Sequence, residues 1–202
     1  MRGKRTHFIT YNLKGLSLLT VPVGHFLVVL KHALGTLSEV NATGAIRFPT
    51  VHIRDPSTGK ILPDPLPPKT IHDQIILNGI LKGRTSDYDG VVVNIHYQGG
   101  ISIEEPFRWV IYGEEGIIEV KATKDMPGST VSTHEKDVYL NGQKVDLEET
   151  EVDKALSSTG KAWLEFAKGS EGEYETLESA LDIYRVVDAT LTSIREGRKV
   201  VL

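Results

Sequence analysis

Cysteine is absent from this sequence, and that absence excludes disulfide cross-links, thiolate zinc sites and thiol catalysis together. A reducing intracellular setting agrees with it. A membrane-spanning run is missing as well. The apolar stretch from Leu16 to Leu30 falls short of the ~20 residues a span needs and is interrupted by Ser17, Thr20, Pro22, Gly24 and His25. It ends at Lys31 and carries no small-residue cleavage site, so it reads as a buried helix and not as a signal peptide or anchor. Charge of one sign is scarce: 23 basic against 27 acidic residues give a net charge of −4, which argues against a general nucleic-acid surface. Arg2, Lys4 and Arg5 read as a solvated chain end and make only a weak nuclear-import signal.

Catalytic and phosphate-binding motifs are equally sparse. Ser57-Thr58-Gly59-Lys60 resembles the end of a P-loop, but Arg54 stands where its first glycine belongs and Ile61 where its Ser or Thr belongs, so a turn is the better reading. Gly169-Ser170-Glu171-Gly172 precedes a helix without the third glycine of a dinucleotide fingerprint and reads as a linker. No Gly-x-Ser-x-Gly elbow occurs. The seven histidines include no His-x-His pair and no His-Glu-x-x-His. His25 and His32 share a helix face but stand about 10 Å apart, too far to ligate one ion together. No metal is therefore assigned. The pairs Glu104-Glu105 and Glu148-Glu149 read as solvated faces.

What is present is an ordinary globular pattern: 202 residues, 40% hydrophobic and 25% charged, read as one domain. Phe26, Leu27, Val29, Leu30, Ala33 and Leu34 recur at helical spacing, with Gly24-His25 opening the run and Gly35 placed to end it in a left-handed cap. Pro22 fits the first turn or the position before it. Strands are expected over Glu39–Phe48, Val51–Arg54, Asp73–Leu81, Val91–Tyr97, Phe107–Tyr112 and Ile117–Ala122, the later ones as an antiparallel meander. Ile61–Pro68, with its prolines, reads as an extended connector. In Val91–Tyr97, alternation puts Val91, Val93, Ile95 and Tyr97 on a core face and Asn94, His96 and Gln98 on a polar one. Asn141-Gly142 signals a hairpin. Helices are expected over Glu151–Lys168, with Gly160 weakening its continuity, and over Thr176–Glu196, closed by Gly197. Lys199–Leu202 adds a last strand. The sum is an α+β class: an open, largely antiparallel sheet with helices packed on one face.

Several local patterns occur in an order that resembles the C-terminal domain of the glucose-fructose oxidoreductase/inositol dehydrogenase family, and most closely its fungal branch that includes the galactose-regulon repressor. They are Gly15 with Gly24-His25 and the helix to Gly35; Pro68-Lys69-Thr70 with Asp73, Leu77, Gly79 and Leu81; Ile111 with Gly113-Glu114-Glu115-Gly116-Ile117-Ile118; and Ala180, Tyr184, Val187, Ile194, Gly197 and Val200. The resemblance runs from about residue 12 to residue 202. It implies a domain that closes a substrate pocket and forms oligomers through an exposed sheet face, working beside an N-terminal Rossmann domain that binds NAD or NADP and is expected to be missing here.

By that resemblance His25 is the catalytic candidate, placed near a reacting hydroxyl carbon where imidazole exchanges a proton while hydride moves to a nicotinamide. The alternative is a helix-start histidine that is simply hydrogen-bonded in the core. Gly24, Asn94 and His96 are the substrate-binding candidates, the last two from their polar strand face. The family's enzymes carry aspartates four residues before and three after the histidine, and Val21 and Val28 occupy those positions. The resemblance thus implies a truncated or stand-alone domain that binds no cofactor by itself and does not transfer hydride alone. Its expected partners are a second copy or a full-length relative met through the sheet face, and a small-molecule substrate, with neither nucleic acid nor membrane involved. The alternative function is a regulatory binding module that acts by protein–protein contact in transcription control, and a third reading is an incomplete gene product. The expected compartment is the cytoplasm, with the nucleus as the alternative.

Overall fold

A computed structural model of the chain describes residues 17–55, 57–66, 68–86, 89–99, 107–122 and 136–202. Gly15 and the Glu104-Glu105 pair lie outside the described residues. Two compact units are present, Met1–Ile101 with Asp182–Leu202, and Ser102–Leu181.

In the first unit the apolar run begins earlier than Gly24. Leu19–Val23 forms a wide π turn in which the Val23 N–H donates to Leu18 O at 3.1 Å. Pro22 has no N–H to give and is accommodated inside that turn. Helix α1, Gly24–Ala33, continues it and buries Leu27 and Leu30. Strand β1, Gly35–Ala45, follows at once, four residues before the expected start. Gly35 makes this abrupt entry possible: its φ is +128° and a Cβ there would lie 2.3 Å from Lys82 O. Both the backbone conformation and the close strand approach exclude a side chain. Gly35→Ala is expected to cost at least about 2 kcal/mol, measured by chemical denaturation, because strain and backbone displacement add.

β1 pairs antiparallel with β4, Gln74–Gly83, and β4 with β5, Val92–Gln98. Among the described residues this sheet has the order β10-β1-β4-β5, where β10 is Val200–Val201. Alternation decides its two faces. Leu37, Val40, Ala42, Ile75, Leu77 and Leu81 are buried on one of them. Helix α4, Leu177–Glu196, covers that face with Ile183, Val186, Val187, Ala189, Thr190 and Ser193. The Ala42 N–H donates to Ser193 Oγ at 2.9 Å, and Lys31 Nζ of α1 meets Asp182 Oδ2 of α4 at 2.9 Å. Each fully buried leucine of this layer stabilises the unit by roughly 1.5–3 kcal/mol relative to exposure. The expected α+β architecture, antiparallel strands with helices on one face, is what forms.

Further local expectations are corrected. Ile61–Leu66 is a strand, β3, and not a connector; it pairs with β2, Val51–Arg54, in a separate two-stranded ribbon where prolines are tolerated because one edge needs no partner. Val91 precedes β5 and is 46% exposed, while Val93, Ile95 and Tyr97 are half-buried and not core. The meander is divided: β5 pairs with β4, whereas β6, Arg108–Tyr112, belongs to a second sheet of the other unit.

That second sheet has the order β6-β7-β8-β9, with β7 Ile117–Ala122, β8 Lys136–Leu140 and β9 Gln143–Val145. The Asn141-Gly142 turn forms as expected, with φ of 51° and 79°. The expected helix over Glu151–Lys168 is two helices, α2 Glu151–Ala155 and α3 Ser158–Ala167. The break falls at Leu156-Ser157 because Ser157 caps α3, accepting from the Gly160 N–H at 3.2 Å. Gly160 is thus in the capped first turn, where its low helix propensity matters little.

Candidate functional surface

His25 is exposed on α1, and Gly24 before it is buried. A methyl group at Gly24 would meet only Leu19 O, at 3.6 Å, so the glycine is not demanded by packing within this chain. Helical spacing puts Val21, His25, Val28 and His32 in one stripe. Both valines are half-buried, and neither accepts or orients a proton.

Asn94 and His96 lie on β5, on the sheet face opposite the helices. The structure brings these two together but does not join them to His25, whose helix packs on the covered face. The Asn94 Nδ2 donates to Asn78 Oδ1 across the strand pair at 2.7 Å, and Asn41 stands opposite Asn78 on the other side. An asparagine row therefore crosses three strands. His96 Nε2 and Gln98 Nε2 are 3.0 Å apart, and Ile76 is the cross-strand partner of His96. Around this polar row stand Ile76, 40% exposed, and Val92 and Val201, each 73% exposed. Neither Ile76 nor Asn78 stood out in the sequence, although they alternate with Leu77 and Gly79, which did; reading the other parity of β4 would have found them.

One buried carboxylate fixes the edge of this surface. Asp73, 3% exposed, accepts from the Arg47 N–H at 2.7 Å, the Phe48 N–H at 2.9 Å and Lys69 Nζ at 3.0 Å. Its own N–H donates to Ala45 O at 3.0 Å, and its carbonyl accepts from the Gly99 N–H at 2.6 Å. A single residue thus ties the exits of β1 and β5 to the entry of β4. Burial pushes its pKa up, but the two backbone donors and the Lys69 ammonium outweigh burial and hold it below 3.8. A carboxylate depressed on folding stabilises fully above its unfolded pKa, and the contribution is lost as pH falls through the folded value. Acid unfolding of the first unit is therefore expected to set in below about pH 4, and Asp73→Asn should flatten that part of the profile in a circular-dichroism titration.

Among the described residues no group of three His, Asp or Glu side chains is arranged to hold a metal ion, and no helix is long and apolar enough to cross a membrane.

The chain matches the family model described as Gal80p, C-terminal domain, over residues 1–122. No curated protein sequence matches it. Solved structures resemble it in fold. A super-repressor mutant of Gal80p from Saccharomyces cerevisiae superposes with a TM-score of 0.74 at 18% identity, over 98% of this chain and 53% of the other. Gal80p from Kluyveromyces lactis gives 0.69 at 16%, over 98% and 50%. An aldose-aldose oxidoreductase from Caulobacter crescentus gives 0.58 at 15%, over 94% and 50%. The chain therefore spans about half the length of these proteins, and they include both regulators and oxidoreductases. With a family model matched over more than half of its residues, and with the helix-backed antiparallel sheet described above, this chain belongs to the family of the Gal80p C-terminal domain.

Proposed function

We propose that this chain is a non-catalytic association domain that pairs through the open face of the β10-β1-β4-β5 sheet, with a second copy of itself or with a longer relative. The observation that carries this reading is the asymmetry of the sheet. One face is sealed by α1 and α4, whereas the other presents Ile76, Val92 and Val201 around the row Asn41–Asn78–Asn94. Apolar side chains around a central polar row suit a sheet-on-sheet contact: the first supply burial and the second penalises wrong registers. Hydride transfer by this chain alone is not part of the reading. Val21 and Val28 flank His25 on its helix face, so imidazole has no carboxylate there to relay a proton. NAD or NADP would be held by a separate Rossmann domain.

Because the chain has no cysteine, single introduced cysteines report the contact cleanly. An environment-sensitive dye on Val92→Cys should shift to the blue as concentration rises, while the same dye on Thr58→Cys, in the β2–β3 turn, should not. Indifference of the Val92 label to concentration and to an added full-length relative would remove the proposal.

One observation favours a second reading. His25 is exposed at the start of α1, and oxidoreductases are among the structural relatives, so in a two-domain assembly it would close a pocket over a small hydroxylated substrate, with Gly24 beside it. NAD(P)-dependent turnover that appears only with an added nucleotide-binding partner, and is lost in His25→Ala, would support this; absence of turnover in every combination would rule it out.

A further inference from the structure

In the second unit, every described residue keeps measurable solvent exposure. Several of its large apolar side chains stand well into solvent. Trp163 is 67% exposed and Phe166 56%, both on α3, with Tyr174 at 37% and Leu177 at 73%. The three aromatic ones are not scattered. The rings of Trp163 and Phe166 meet edge to face with centroids 5.9 Å apart, and Phe166 meets Tyr174 at 5.2 Å.

The local chain path builds this cluster. After α3 the backbone folds back, and the Glu173 N–H donates to Glu165 Oε2 at 3.1 Å. Gly172 passes so close that a Cβ there would lie 1.9 Å from Glu165 O. Only glycine permits that approach, which delivers Tyr174 to Phe166. Joined aromatic side chains left in water are a cost to an isolated domain, and a patch of this kind rimmed by polar groups marks a contact surface.

The rim states what the contact is. Residues 146–178 contain ten acidic and three basic side chains, a net −7 in a chain whose total is −4. The three lysines are already engaged: Lys154 with Glu151 at 3.0 Å, Lys161 with Asp153 at 2.6 Å and Lys168 with Glu165 at 2.5 Å. Glu171, Glu173, Glu175 and Glu178, which surround Tyr174 and Leu177 in sequence, are all exposed. An acidic rim repels nucleic acid and anionic bilayers. It also disfavours a second copy, since a two-fold contact would set the rim against itself.

We infer that the aromatic face of α3 with Tyr174 is the docking site for a basic amphipathic segment of another protein. Apolar anchors of that segment cover Trp163 and Phe166, and its Lys or Arg side chains meet the glutamates, an Arg also stacking on the Trp163 ring. This surface and the open sheet face are built from residues of different units, and the two proposals are tested by different variants.

The test uses the full chain and two fluorescein-labelled synthetic probes, an amphipathic Lys/Leu peptide of about four helical turns and its Glu/Leu counterpart, followed by anisotropy. The Lys/Leu peptide should bind at least about tenfold more tightly than the Glu/Leu peptide. Trp163→Ala and Phe166→Ala should each weaken it about tenfold or more while leaving far-UV circular dichroism unchanged, since both side chains are mainly in water. The triple change Glu171→Gln, Glu173→Gln, Glu175→Gln should weaken it and flatten its salt dependence. Equal binding of both probes, no binding of either, or full affinity in Trp163→Ala would overturn the inference. A concentration-dependent dimer that Trp163→Ala abolishes would assign the face to a second copy instead, and would equally overturn it.

Discussion

Replacing Asp73 with alanine is expected to destabilise the first unit by about 3–5 kcal/mol, the cost of removing one partner from a buried ion pair. Four donors lose their acceptor at once: the Arg47 and Phe48 amides, the Gln74 side-chain amide at 3.5 Å, and the Lys69 ammonium, which is itself only 10% exposed. Water does not easily replace a carboxylate that is 3% exposed. Since each kcal/mol shifts a chain of 150–250 residues by roughly 2–4 °C, the melting temperature should fall by roughly 6–20 °C. Lys69→Met should cost much less, because Asp73 keeps two backbone donors and methionine preserves the apolar stem. A melting temperature within a degree or two of the parent in Asp73→Ala would mean that this cluster does not hold the strand ends.

The second large effect concerns association. In Ile76→Lys/Val92→Lys, two ammonium groups are placed on the open face, and two-fold pairing would set them against their own copies. Burying charges without partners at a contact costs several kcal/mol, so dimerisation should weaken more than 100-fold, corresponding to about 2.7 kcal/mol or more. Monomer stability should change little, as both positions are already exposed, Ile76 at 40% and Val92 at 73%. Thr58→Lys, a charge added in the β2–β3 turn, should leave association untouched. Equal dimerisation of the double variant and the parent would relocate the contact away from this sheet.

How far the sequence carried the fold depends on how local each signal is. Asn141-Gly142 specified its hairpin because two successive positive φ values are needed and those residue types supply them. Gly197 marked the end of α4 just as directly, but apolar spacing misplaced its inner face: Leu177, Leu181, Tyr184 and Leu191 are exposed, and Ile183, Val186, Val187, Thr190 and Ser193 are the buried positions. β3 escaped because its prolines forbid a central strand, and only the existence of a lone two-stranded ribbon makes them acceptable. The helix break at Leu156-Ser157 was hidden by Gly160: the weaker propensity lay at the glycine, but the cap that sets the boundary is the serine three residues before it. Separation of the strands into two sheets is a long-range pairing decision, and alternation within each strand carries no information about it.

The surface was legible to a different degree. Alternation placed Asn94 and His96 on the exposed side of β5, and they are there. Their neighbours Asn41, Asn78 and Ile76 became a surface only when strand register brought them alongside. Lys69 and Asp73 stood out as part of a strand-entry pattern, but nothing in their spacing of four announced a buried carboxylate that gathers two backbone amides from residues 47 and 48. Trp163 and Phe166 fall within the expected Glu151–Lys168 helix, but their exposure is a property of what the rest of the unit leaves uncovered.

Sedimentation velocity of the unmodified chain across a dilution series tests the central claim most directly. Association through the open sheet face predicts a species of twice the 22.3 kDa chain mass that gives way to monomer on dilution, and that is absent from Ile76→Lys/Val92→Lys at every concentration. A single 22.3 kDa species across the whole series, with or without a full-length relative present, would contradict it.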